Sequence, residues 1–353
     1  RSVQIDWVTG AVGAPPELSP IYDVGRYLRL GPGGEVVKSW AAKAAVHDDE
    51  GSHSRNFTVW TPSPGELFIS GNPVKLLQGH NAFGSCDALG LFLEAGVFVR
   101  HAAGWFPGPA TWEACKFQGP RFTRIDLTRS YRFPSSSYAL AWLRQVANVS
   151  RDRRGGTLHK GDTIYFGKTS TRWTMKLYEK QSELLHECQK RGHGVPSEVL
   201  DWAAGVVRFE LTLRRPELEK WPGEVAGLCG GTGALSALRL WSEYYGRITW
   251  NGAVDMIEND LIEQTLAPHL RVKLAAWRSG ADLRSMMSRP SFYRVRRELL
   301  DAVGVDIASP PPAARDVGAD VTAGLDPAGW DPEPLRSHLV EPRGELAGQY
   351  GLL

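Results

Sequence analysis

Arg124-Ile125-Asp126-Leu127-Thr128 and Arg208-Phe209-Glu210-Leu211-Thr212 repeat one pattern: Arg, apolar, acid, apolar, Thr. Side chains alternate between the two faces of a β-strand. Each segment therefore puts an Arg, an acid and a Thr on one face and bulky apolar groups on the other. Side by side in one sheet, the two strands bring Asp126 and Glu210 together on a polar face otherwise lined by Arg. Paired carboxylates with further oxygen donors suit a hard divalent cation such as Mg²⁺ or Mn²⁺. The arginines, Arg124 and Arg208, suit phosphate. The same residues have a second reading, in which Asp126 pairs with Arg208 and Glu210 with Arg124 across the strands.

A hairpin extends the pattern. Residues 162–167 are β-rich, a turn follows at Lys168-Thr169-Ser170, and 172–178 alternates cleanly. Arg172, Thr174, Lys176 and Tyr178 are expected on one face, with Trp173, Met175 and Leu177 on the other. Tyr178 then ends a cationic stripe just before a helix-like stretch. A tyrosine beside a metal site and phosphate-binding cations is a candidate nucleophile for a phosphodiester. Otherwise it is a strand-end tyrosine with a packed ring and a wet hydroxyl. Tyr165 is its rival. Lys180 is placed to steady a phosphate or lower the tyrosine pKa. His80, in the Gln78-Gly79-His80-Asn81 loop, is a third candidate metal ligand or else a loop-stabilising hydrogen-bonding residue.

Further strands are expected at 3–8, 26–30, 36–45, 56–60 and 67–70, and helices at 86–101, 136–149, 180–190 and 197–204. Runs of strands mixed with helices, rather than strict alternation, point to an α+β domain on an antiparallel sheet. Past Trp221-Pro222-Gly223 the character turns helical. The expected division is a first domain over residues 1–222, a helical domain over 223–307 and a Pro-, Ala- and Gly-rich acidic tail over 308–353. Within the helical part, 270–303 is a candidate helix-turn-helix, its last helix carrying Arg294 and Arg297. A helical bundle with a solvated basic face fits the same residues.

The net charge of +2 hides an asymmetry. Residues 121–220 hold 19 Lys or Arg against 11 Asp or Glu, whereas 308–353 hold 3 against 7. The basic block points to a polyanionic partner, with Arg151, Arg153 and Arg154 as general backbone contacts. The four cysteines lie far apart without a Cys-x-x-Cys pair, which argues against structural zinc or a disulfide framework. No apolar run of membrane-spanning length or signal-like opening stretch occurs, so a cytoplasmic setting is expected. A Walker-type phosphate loop is absent, so no ATP site is expected.

Taken in order, 71–81, Thr123-Arg124-Ile125-Asp126-Leu127-Thr128, Thr163-Ile164-Tyr165-Phe166-Gly167, Lys176-Leu177-Tyr178-Glu179-Lys180 and Val207-Arg208-Phe209-Glu210-Leu211 resemble the replication initiators of filamentous phages. The stretch from Ser291 to Ile307 resembles their second domain, so the likeness covers roughly residues 3–307. It implies a rolling-circle initiator that nicks one strand of a supercoiled duplex at an origin. A tyrosine takes the 5′ phosphate, and the single strand is later rejoined. It also implies a host helicase and polymerase as partners, and the fold of the HUH endonucleases. No His-hydrophobic-His pair occurs in this chain, so the ion would be held mainly by acids. Two rival readings use the same features: a non-catalytic origin- or single-strand-binding module, and a plasmid-transfer relaxase.

Overall fold

The computed structural model describes residues 3–13, 24–46, 57–63, 65–102, 120–152, 155–156, 158–160, 163–191, 194–250, 266–278, 281–303, 306–308 and 326–327. The strands are β1 (Gln4–Gly13), β2 (Arg26–Leu30), β3 (Val36–Ala41), β4 (Ala44–Val46), β5 (Phe57–Trp60), β6 (Glu66–Gly71), β7 (Arg121–Arg132), β8 (Arg151–Asp152), β9 (Gly155–Gly156), β10 (Leu158–Lys160), β11 (Thr163–Phe166), β12 (Trp173–Glu179), β13 (Val206–Arg214), β14 (Ile248–Thr249) and β15 (Asp326–Pro327). The helices are α1 (Pro73–Gln78), α2 (Ala88–Ala102), α3 (Ser136–Val149), α4 (Lys180–Arg191), α5 (Ser197–Ala203), α6 (Arg215–Leu218), α7 (Pro222–Gly227), α8 (Gly233–Tyr245), α9 (Pro268–Arg278), α10 (Leu283–Met286) and α11 (Arg289–Val303).

The expected α+β architecture is present. Among the described residues, one sheet runs β10-β11-β12-β13-β7-β1-β6-β5-β4, with β15 on the free end of β7. Its pairings are antiparallel. Alternation sorts its residues as the sequence predicts. Ile164, Phe166, Met175, Leu177, Ile125, Leu127, Phe209, Leu211 and Leu213 are buried on one face. Each such side chain contributes roughly 1.5–3 kcal/mol by leaving water.

Helices cover that face. α3 begins where Ser135 Oγ accepts the backbone N–H of Tyr138 at 3.2 Å, a side-chain cap on the first turn. Its Trp142 packs on Phe209 at 5.8 Å between ring centroids, and Trp241 of α8 meets the same ring at 6.2 Å. The core thus runs on past residue 222. Leu228, Leu240, Trp241, Tyr244, Ile248 and Trp250 all belong to it. α7 and α8 thus pack over the apolar face of the sheet, on the far side of the expected division at 222/223. A separate cluster begins at Leu266 and joins α9, α10 and α11 through Leu274, Trp277, Leu283, Phe292 and Leu299. Residues 251–265 and nearly all of the 308–353 tail lie outside the described residues.

The polar face of the sheet has a different roof. Asn72 caps α1, its side chain accepting from Lys75 N at 3.0 Å, and Pro73 sits in the first turn, where no N–H is needed. Gly79 closes α1 in the left-handed region (φ 79°), with its N–H on Lys75 O at 2.9 Å. That conformation favours glycine. It sends the 80–85 loop back across the sheet, where Ala82 and Phe83 pack against Leu184 of α4 and Val199 and Ala203 of α5.

Candidate active site

The two repeated segments lie next to each other. β13 pairs with β7 so that Arg208 faces Ser130, Glu210 faces Thr128, Thr212 faces Asp126 and Arg214 faces Arg124. Asp126 and Glu210 are therefore diagonal neighbours on one face, a spacing of roughly 7 Å between Cβ atoms in such ladders. β12 flanks β13 on its other side, with Lys176 opposite Glu210 and Tyr178 opposite Arg208. Tyr178 donates its hydroxyl to Glu210 Oε2 at 3.3 Å. Lys176 Nζ lies 2.8 Å from the same oxygen and 4.5 Å from the centre of the Tyr178 ring. Lys180 Nζ lies 5.9 Å from that ring. Tyr165 shares the face, opposite Lys176 on β11, and meets Lys168 rather than an acid.

The ion pairs differ from either cross-strand pairing expected. Asp126 is held by Arg124 of its own strand, two residues away on the same face, through Nε at 2.8 Å and the terminal nitrogen at 2.5 Å. Glu210 takes Lys176. Burial pushes Asp126 up to about 6 against the pull of Arg124, and the charges of Glu210 and Asp6 add to the rise. Burial also pushes the Tyr178 hydroxyl well above its ordinary value, and Glu210 and Glu183 push it further. The phenol is thus protonated at neutral pH.

Arg208 does something other than expected. It is fully buried and donates to the backbone carbonyls of Asn81 and Ala82. Its place on the stripe is real, but no guanidinium surface is left for a phosphate. It clamps the 80–85 loop instead. Arg172 also leaves the stripe, since β12 begins at Trp173. Its Nε pairs with the buried carboxylate of Glu217 at 2.5 Å. Lys180 is fully buried, donating to Asn81 Oδ1 at 2.8 Å and Glu183 Oε2 at 2.5 Å. Burial pulls its ammonium down to about 8, and Glu183 holds part of the charge.

Three site residues escaped sequence reasoning. Asp6 accepts from Asn72 Nδ2 at 3.0 Å and Asn81 Nδ2 at 2.7 Å, and lies 3.9 Å from Arg208. A register shift between Ile5 and Trp7 leaves Asp6 without a partner on β7 and brings Trp7 opposite Asp126. Its signal was available: an acid inside the apolar run Val3-Gln4-Ile5-Asp6-Trp7-Val8, the same anomaly that marks Asp126 and Glu210. Asn81 ties Asp6 to Lys180 and gave no such signal. Arg214 lies opposite Arg124 and donates to Thr174 Oγ1 at 3.1 Å. Burial and the neighbouring Arg124 both depress its pKa.

His80 is buried under the loop and edge-on to Phe83 at 4.9 Å. Among the described residues, no three His, Cys, Asp or Glu side chains converge closely enough to hold an ion. Arg294 and Arg297 are exposed on α11, while Arg296 makes a two-pronged pair with Asp306 at 2.6 Å. Arg153 and Arg154, and the side chain of Arg151, fall outside the described residues. No helix among the described residues is long and apolar enough to cross a membrane.

Similarity to known proteins covers Tyr178, Glu210, Asp126 and their neighbours on the sheet. The family model for the N-terminal part of the phage replication-associated protein matches residues 19–231. The replication-associated protein of Enterobacteria phage I2-2 is 30% identical over 326 residues, covering 86% of this chain and 88% of that protein. The proteins of the same name from phages M13 and fd are each 28% identical over 172 residues, covering 43% of this chain and 40% of theirs.

Proposed function

This chain belongs to the family of phage replication-associated proteins and is a phage replication initiator, and on that premise we propose that it nicks and rejoins one strand of origin DNA through Tyr178. The observation that carries the reading is the meeting of Tyr178 with Glu210, one strand from Asp126, on a cationic face.

In this reading a single-stranded origin segment, exposed in supercoiled duplex, lies along the polar face. Arg124, Arg214 and Lys176 bear on its phosphates. The Tyr178 oxygen bonds to phosphorus, the bond from phosphorus to the 3′ oxygen breaks, and the freed 3′ oxygen gains a proton from water. The phenol proton passes to Glu210, the acceptor already in contact with it. Lys176 and Lys180 flank the ring and favour the phenolate as it forms. The step is reversible by attack of a 3′ hydroxyl on the phosphotyrosine, which rejoins the strand.

Asp126 and Glu210 are the residues that would hold a divalent ion, Mg²⁺ or Mn²⁺, with oxygens of the DNA and of water completing its shell. Burial and mutual repulsion leave Asp126 short of compensating charge, and the contacts of Glu210 described above engage only Oε2. Such an ion would polarise the scissile phosphate. Arg124, partly exposed, would have to release Asp126 for it. His80 would join this set only after the loop moves. In the non-catalytic alternative these ion pairs are permanent and the face only binds DNA.

The test is incubation of the protein with an origin oligonucleotide and Mg²⁺ or Mn²⁺. A covalent adduct mapped to Tyr178 by mass spectrometry supports the reading. Tight binding without any adduct selects the binding module. A host helicase and polymerase would then act on the nicked duplex, in the bacterial cytoplasm.

A further inference from the structure

We propose that the β2–β3 hairpin is an arm that grips duplex DNA beside the nicked strand. The proposal rests on the reading of the chain as an origin-DNA enzyme and adds a contact remote from the Tyr178 face.

The hairpin is a two-stranded ribbon, separate from the large sheet. Its residues are exposed throughout except Ala41 at its foot. The pairing is antiparallel, with Tyr27 opposite Trp40 and Arg29 opposite Lys38. These four share one face, and the Tyr27 and Trp40 rings lie 5.9 Å apart. Tyr27 is 58% exposed and Trp40 44%. The other face carries Leu28, Leu30 and Val36, each more than half exposed. The turn is Gly31-Pro32-Gly33-Gly34, closed by Gly31 N on Glu35 O at 2.8 Å. At the foot, Arg26 is fixed by Ser39 Oγ at 2.7 Å and Pro62 O at 3.2 Å. The arm therefore leaves the body in a set direction.

A lone two-stranded ribbon with this much exposed apolar surface is marginal in water. Something covers it in use, and charge says what. Residues 24–46 hold three Lys or Arg, Arg26, Arg29 and Lys38, besides Lys43 at the foot of the ribbon, against one acid, Glu35. Arg29 and Lys38 have no acidic partner among the described residues. A ribbon of two strands has the width of a DNA groove. Cations along it meet the phosphates on either side, while apolar residues and a proline at a tip suit wedging between base steps. A protein partner for the same surface would need acidic complementarity to that stripe. Duplex DNA supplies the charge, the groove and the apolar base edges together.

The experiment compares the full chain with Arg29→Ala/Lys38→Ala and with Pro32→Ala, using labelled origin duplex and the corresponding single strand across a salt series. The double variant should bind duplex about tenfold more weakly, with the slope of log affinity against log salt reduced by about 2, one for each phosphate no longer neutralised. Adduct formation on the single strand should be unchanged. Pro32→Ala should lessen bending of the duplex, read by the distance between dyes at its ends. Unchanged duplex affinity and slope would overturn the arm. So would an equal loss on duplex and single strand, or a shift in sedimentation with DNA affinity intact, which would assign the ribbon to contacts between copies. If wild type forms no adduct, the catalytic reading fails, yet the duplex comparison still decides the arm.

Discussion

Tyr178 and Glu210, on neighbouring antiparallel strands, meet hydroxyl to carboxylate at 3.3 Å, and Lys176 holds the same carboxylate oxygen. The nucleophile and its proton acceptor would thus be in contact before DNA arrives. Tyr178→Phe keeps the ring between Lys176 and Lys180 and removes only the oxygen. The covalent adduct should vanish on a denaturing gel, while single-strand affinity stays within about twofold, since the cations that hold phosphate remain.

Glu210→Gln keeps the shape of the acceptor and loses its charge. Nicking should fall by about 10²–10³ if Glu210 takes the phenol proton. Asp126→Asn leaves the proton acceptor in place, so it should raise the Mg²⁺ or Mn²⁺ concentration needed for half-maximal nicking and recover at high ion, where Glu210→Gln should not. Ion titrations of the two variants separate these roles. Identical titrations to wild type would leave both acids as partners of Lys176 and Arg124 alone.

Arg208 is buried and holds the 80–85 loop by its backbone carbonyls. Arg208→Met strands the carbonyls of Asn81 and Ala82, and removes the charge nearest Asp6. The cost should be about 3–5 kcal/mol, the size expected for breaking a buried charged network. Urea unfolding measures it. Arg208→Lys restores the charge but not the two-pronged grip, and should recover only part of the stability.

Glu217 joins α6 to α8. Its carboxylate, 1% exposed, accepts from Tyr244 at 2.5 Å, Arg172 at 2.5 Å and Lys220 at 3.0 Å. Burial opposes its ionisation, but these donors outweigh burial and hold it at about 2 instead of 4.5. A carboxyl depressed on folding stabilises above its unfolded pKa and loses that contribution as pH falls through the folded one. Thermal melts should therefore show wild type losing stability between about pH 4.5 and 2. Glu217→Gln should be weaker at pH 7 and flatter across that window.

Strand parity was legible in the residues alone. Ile125, Leu127, Phe209 and Leu211 went to one face and Asp126 and Glu210 to the other, because an alternating pattern has one way to bury its apolar half. The helix caps at Ser135 and Asn72 are equally local. Sequence could not choose partners. Whether Asp126 took Arg124 or Arg208 depended on the register of β7 against β13, which is set by all the side chains of both strands. It could not show that Arg208 turns to the 80–85 loop, since that loop arrives from more than a hundred residues away. Nor could it show that Trp7 comes opposite Asp126, since the single extra residue in β1 reverses the parity beyond Asp6. The same holds past residue 222: apolar periodicity marks a helix at 234–245, but only packing decides which face of which core that helix completes.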